Sequence, residues 1–212
     1  FLLHSQLISD STDNLFMFNE FKDKITTSLG AYFDFVIPAF KRLKEEGKIS
    51  HWGITGLGEQ AALLKAIGHQ AAPAAVQSVV NILNSAGGIN YVAQDFAPKA
   101  ILSACREKKI PVLAIRAVQA GALTESMDRE LEATDPDQAD YKRARRFRDL
   151  ASDWKQSPAI LAHRYALSIA GVSSVILGVK NRSELQECLR SEQIGELSLE
   201  EMATLEALYP SE

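Results

Sequence analysis

The sequence predicts an α/β fold built on a parallel sheet, and three observations predict it. Short apolar, β-branched runs alternate with longer stretches of helical periodicity, the order of strand–helix–strand units. Strands are expected near Phe1, Ile49, Ala75, Pro111 and Ser174, with a helix between each pair. The polar residues His4, Thr55, Gln77, Arg116 and Lys180 fall at or just beyond the C-terminal ends of those strands, where a closed (β/α)8 barrel gathers its site. An open sheet accommodates the alternation equally well; the strand-end residues favour the barrel. Scaled to eight strand–helix units, the 212 residues exceed the roughly 250 of such a barrel by an amount that long loops explain. The chain reads as a single domain, 1–212.

Composition narrows the function classes. With 46% hydrophobic and 24% charged residues the chain can bury a substantial core. A net charge of -4 and a pI near 5.7 give no basic footprint for nucleic acid. The basic run Lys142 to Arg148 is flanked by Asp149, Asp153 and an acidic stretch from Asp128 to Asp140, so it reads as a solvated helix face. Cys105 and Cys188 lie in helical patterns without metal-ligand spacing and read as reduced packing residues of a cytoplasmic protein, with no metal expected. No apolar run reaches the roughly 18 residues of a membrane span, and no signal region opens the chain.

Taken in order, Phe1-Leu-Leu-His4 is strand-like from its first residue, as if entered in mid-element, and an upstream part is expected. Ser5 to Tyr32 reads as a long polar loop in which Phe16, Phe18 and Phe21 either line a site or form the buried side of a loop helix. From Asp34, the residues Phe35, Val36, Ala39, Phe40 and Leu43 recur at helical spacing, and Gly47 fits a C-terminal cap. Gly53 to Gly58 is glycine-rich and precedes a helix from Glu59 to Ile67. Its spacing is the reverse of the dinucleotide fingerprint, and no acidic residue ends the next strand. Ala74 to Asn81 is the next strand, interrupted by Gln77 and Asn81; a helix from Asp95 to Lys108 and a strand to Arg116 follow. Ser157-Pro-Ala opens a helix with a cap and a Pro at its first position.

The stretch Ser174 to Glu187 carries the clearest site signal. Val175 to Leu177 suit a strand buried on both faces, Gly178 lets backbone approach a ligand, and Asn181 or Ser183 can N-cap the helix that follows. The free N–H groups of that helix start, with Lys180 and Arg182 beside them, suit a phosphate or another anion. A final helix opens on the capping-box pattern Ser198-Leu-Glu-Glu201.

In this order, these strand ends resemble the aldo-keto reductase family over nearly the whole chain. Leu2-Leu-His4 resembles the family's fourth strand with its active-site histidine, and Lys44 to Thr55 the helix and fifth strand before the nicotinamide-contacting turn. Gln77 and Asn81 match the sixth-strand Gln-x-x-x-Asn. Val112 to Thr124 resembles the seventh strand and pyrophosphate loop, with Val118 and Gly121 on it, and Gly178 to Cys188 the eighth-strand loop and helix that hold the adenosine 2′-phosphate. The resemblance thus implies a TIM barrel represented by strands four to eight, the N-terminal part being absent. Thr55-Gly56 replaces the usual Ser-Asn, Ile115 the aromatic near the nicotinamide, Arg116 a Ser, and Glu184 and Cys188 a Gln and an Asn, leaving Glu187 on the adenine side.

What the resemblance implies is hydride transfer between the NADP cofactor, in its reduced form NADPH, and a small-molecule aldehyde or ketone, with the cofactor supplying the hydride and the protein geometry and a proton. His4 would hydrogen-bond the substrate oxygen; the family's Asp, Tyr and Lys belong to its first three strands and are expected upstream. Thr55, Gln77, Arg116, Val118, Gly121, Gly178, Lys180, Arg182, Glu184 and Glu187 would contact the cofactor. The other reading is a non-catalytic relative that binds a nucleotide or a partner. Neither the substrate nor the oligomeric state is written in the sequence. His51, His69 and His163 have no linking spacing and read as structural.

Overall fold

The computed structural model describes residues 1–11, 25–91 and 97–210; Phe16, Phe18, Phe21 and the helix start expected at Asp95 lie outside them. The chain divides into two compact units, Phe1–Ser78 with Asn90–Leu113, and Val79–Ile89 with Ala114–Glu212.

The first unit is a parallel α/β arrangement. Strand β1 (Leu2–Leu3) pairs with β4 (Gly53–Thr55), Leu2 opposite Gly53, and β4 pairs with β5 (Val76–Val79), Thr55 opposite Gln77. At the start of β6 (Val112–Ile115), the Pro111 carbonyl accepts from Val76 N at 3.1 Å. Helices α1 (Ile37–Glu45), α2 (Gln60–Gly68) and α3 (Pro98–Glu107) bury apolar faces that include Ile37 and Phe40, Leu63 and Ile67, and Ile101 and Cys105. Gly47 ends α1 at φ +69°: its N–H donates to Lys44 O and the Lys48 N–H to Leu43 O, the paired bonds of a Schellman cap. The helix expected from Asp34 begins instead with a π turn, Tyr32–Val36, closed by Ile37 N donating to Tyr32 O. The Tyr32 side chain is wholly buried, and among the described residues its hydroxyl has no hydrogen-bond partner.

Part of the stretch expected to be an irregular loop is strand. Gln6–Ile8 (β2) and Thr26–Ser28 (β3) pair in parallel, with Leu7 and Ile8 buried. Three residues are too few to display the alternation by which a strand is recognised. The same strand explains the glycine-rich stretch. Gly58 sits at φ +138° against β2, and a Cβ there would meet the Leu7 carbonyl oxygen; a Cβ at Gly53 would meet that of Ala75. These glycines let backbones approach each other, which agrees with the mismatch to a nucleotide fingerprint.

Strands β5 and β6 continue into the second unit, where Val80 N donates to Ile115 O and Ile176 N to Ala114 O. Helices α4 (Pro136–Arg143), α5 (Arg145–Asp153), α6 (Pro158–Ser168), α7 (Arg182–Ile194) and α8 (Leu199–Ala207) complete it. Its core joins Leu123, Phe147, Leu161, Tyr165, Leu197 and Leu205. The basic run on α4 and α5 is solvated at Lys142, Arg143, Arg145 and Arg146. Arg148 instead lies over the Tyr141 ring at 3.9 Å and donates to Ala122 O. Ser198 and Glu201 form the expected capping box.

The last strand departs from expectation. It is β7 (Val172–Val175), half-buried at most, while Ile176, Leu177 and Val179 stay 40–42% exposed. The apolar run suggested burial on both faces, but among the described residues β7 has a strand neighbour on one side only, as an edge strand does.

Candidate functional site

The site of the second unit is built on a turn that few sequences tolerate. Arg116, Gln119, Ala120 and Gly121 all have positive φ, between +45° and +95°, and three of these four carry a Cβ that disfavours that region. Buried amides hold the turn. Asn81, 2% exposed, donates from Nδ2 to Arg116 O at 3.1 Å and to Gln119 Oε1 at 3.2 Å. Gln119, fully buried, donates from Nε2 to Asp140 Oδ2 at 2.7 Å. A chain of alternating charges follows. Asp137 accepts from Arg116 at 3.0 Å and from Arg129 at 3.1 Å; Arg129 also bonds Asp128 and the Ala120 carbonyl; and Asp128 pairs with the Lys180 ammonium.

Between this turn, the loop to Arg129, the start of α6, the Gly178–Lys180 segment and α7 lies a cavity of ≈ 470 Å³, within the range of small-molecule sites. Val118, Gly121, Gly178, Lys180, Glu184 and Glu187 all line it, so these expected nucleotide contacts are brought together. Arg116 and Arg182 are not among the lining residues; the Arg116 guanidinium is held by Asp137, and Arg182 is exposed at the first position of α7. His4, Thr55 and Gln77 stand in the first unit, His4 exposed just after β1, Thr55 buried at the end of β4 and Gln77 opposite it on β5.

Asn181 caps α7 as expected, accepting from Glu184 N at 3.0 Å. The Glu184 carboxylate folds back to accept from Lys180 N at 2.7 Å and from Asn181 Nδ2 at 2.8 Å. The helix start therefore holds an anion of its own, where a carboxylate is favoured by the helix dipole. Ser157, expected to cap α6, turns away from the helix and donates its hydroxyl to Glu187 Oε1 at 2.8 Å.

Further lining residues were not assigned to the site from the sequence. His163, on α6, donates from Nδ1 to the Ala159 carbonyl at 2.8 Å, so its Nε2 is left to accept from the Cys188 thiol at 3.6 Å. Burial lowers the His163 pKa, against smaller opposing contributions from that carbonyl and Glu187. Burial also raises that of Cys188, with Glu187 and Glu184 adding to it. The pair is thus neutral. Its one sequence signal is spacing: Glu184, Glu187 and Cys188 recur at i, i+3 and i+4 on α7. Asp128 and Arg129, in a loop without periodicity, gave none.

In comparisons with known proteins, two solved structures of the aldo-keto reductase AKR11C1 from Bacillus halodurans share the fold. The apo form gives a TM-score of 0.64 at 20% identity and the holo form 0.63 at 19%, each over 83% of this chain and 56% of that one. The chain thus spans a little over half the length of these structural relatives. No curated protein matches it. The model of the aldo/keto reductase family matches residues 10–210, and the chain belongs to that family.

Proposed function

We propose that this protein is an NADP-dependent oxidoreductase that reduces an aldehyde or ketone to an alcohol, and that the cavity of the second unit takes the adenosine end of the cofactor. The observation that carries the reading is the convergence of Val118, Gly121, Gly178, Lys180, Glu184 and Glu187 on that one cavity. The residues fit the group: Gly121 and Gly178 leave room for close approach, Val118 offers an apolar wall, and Lys180 brings a charge that suits a phosphate. Arg182, one helical position past the cap, would add a second cation for the 2′-phosphate. Arg116 would serve a phosphate or ribose only by leaving Asp137.

When bound, a nicotinamide cofactor supplies the hydride. Thr55 and Gln77 would orient it by hydrogen bonds to its carboxamide, and His4 would hydrogen-bond the substrate oxygen. On the resemblance of its strand ends, the chain corresponds to the fourth to eighth strands of the family's barrel, and the tyrosine acid with its Asp and Lys would come from the earlier ones.

The test separates binding from turnover. In a fluorescence titration, Lys180→Ala with Arg182→Ala should weaken NADPH by roughly tenfold to a hundredfold, the scale of one or more charge-assisted hydrogen bonds, and leave NADH almost unchanged. Equal weakening of both cofactors, or of neither, would refute the 2′-phosphate role. NADPH oxidation on a panel of aldehydes and ketones then tests the enzyme; tight binding without turnover would leave the non-catalytic reading standing.

A further inference from the structure

The charge balance of the cavity runs against the simplest form of that reading. Its lining carries four carboxylates, Glu125, Asp128, Glu184 and Glu187, and two cations, Arg129 and Lys180, a formal balance of −2. His163 adds nothing, because burial keeps it neutral. Two of the groups that would attract a phosphate, the Lys180 ammonium and the Lys180 amide, are already engaged. The Lys180 ammonium pairs with Asp128. The Lys180 backbone N–H donates to the Glu184 carboxylate at 2.7 Å, and the Glu184 N–H, in the first turn of α7, donates to Asn181 Oδ1. Asp128 is itself anchored, since Arg129 holds its other oxygen at 3.0 Å.

We propose that Asp128 and Glu184 are specificity-determining residues that act as internal counter-ions, occupying the Lys180 ammonium and amide that a 2′-phosphate needs. A phosphorylated adenosine ribose must displace at least one carboxylate before it gains Lys180. An unphosphorylated ribose meets no such competition, because its hydroxyls can donate to the same carboxylates where they stand. The two residues therefore set the discrimination between phosphorylated and unphosphorylated nucleotide, and they hold it closer to parity than Lys180 and Arg182 alone would. This rests on the cavity being the adenosine site.

The experiment is calorimetric titration of the intact protein with 2′,5′-ADP and with 5′-AMP, for wild type, Asp128→Asn and Glu184→Gln. Each substitution keeps the side chain's size and removes one negative charge. The quantity read is the ratio of the 5′-AMP dissociation constant to that of 2′,5′-ADP. It should rise about three- to fivefold in each variant, the scale of a largely exposed ion pair. A ratio unchanged in a variant that melts like wild type overturns the proposal. So does a fall, which would mean that Asp128 fastens the loop over the ligand and does not compete with it. If wild type binds neither nucleotide, the adenosine assignment itself is wrong and the inference goes with it; binding with an unmoved ratio refutes the inference alone.

Discussion

Replacing Asn81 by alanine should cost more than any other single truncation around the 116–121 turn. The side chain is 2% exposed, and its amide donates to two acceptors, Arg116 O and Gln119 Oε1, in addition to its bonds with Ser85. Its removal takes the amide donor from Gln119 Oε1 and Ser85 O, at about 1–3 kcal/mol each, while Arg116 O keeps the Gln119 N–H at 2.8 Å. Relaxation of the strained turn works the other way, since positive φ at a residue with a Cβ costs about 1–3 kcal/mol and would be partly released. The balance favours loss: two orphaned acceptors outweigh one relaxed residue, giving about 2–4 kcal/mol. For a chain of this size that is a fall in melting temperature of roughly 5–12 °C. Thermal and urea unfolding followed by circular dichroism measure it, with nucleotide titration on the folded variant to show whether the cavity loosens in step. An Asn81→Ala protein within about 0.5 kcal/mol of wild type, the scatter of an ordinary surface substitution, would refute the claim that this amide holds the turn.

Other outcomes follow from single features. Tyr32→Phe should be neutral or stabilise by up to about 1 kcal/mol, because it removes a buried hydroxyl that has no partner among the described residues; a loss above 1 kcal/mol in urea unfolding would mean the hydroxyl is used. His163 makes stability depend on pH. Its folded pKa lies below the ordinary 6.5, so at pH values between the two the unfolded chain binds more protons and folding weakens as pH falls. Its contribution should be complete above 6.5 and decline below it, and His163→Gln should flatten the slope of stability against pH below 6.5; an unchanged slope would remove His163 as its source.

What could be read from the sequence was what is decided locally. Gly47, Asn181 and Ser198 each fix a helix end through bonds within a few residues, and each stands where its neighbours implied. The parallel order of strands and helices was legible for the same reason, as was the clustering of Gly121, Gly178 and Lys180 at element boundaries. Residues whose role depends on a distant partner were not legible. Ser157 looks like a cap until Glu187, on another helix, takes its hydroxyl. His163 and Cys188 look like packing residues until α6 and α7 face each other. The ion pair of Lys180 gave no sign, because nothing in the charged loop marks Asp128 as its partner. β2 was missed because three residues hold too little pattern, and the apolar run from Val175 to Leu177 was assigned to the interior because hydrophobicity does not reveal whether a strand has one neighbour or two.

The alternating chain from Arg116 through Asp137, Arg129 and Asp128 to Lys180 limits how these positions can change over generations. Each interior member serves two opposite charges, so its loss leaves two like charges facing each other. Asp137→Ala would set the guanidiniums of Arg116 and Arg129 side by side near a mostly buried carboxylate position. A second substitution that removes one of the cations would then be better tolerated than it is in the parent, so the effects would not add. Members at the ends, Arg116 and Lys180, are free of this like-charge restriction, so on charge pairing alone they can change singly. The order in which substitutions arrive therefore matters: changes should enter from the ends inward, and interior carboxylates should change only in lineages that have already lost a neighbouring cation.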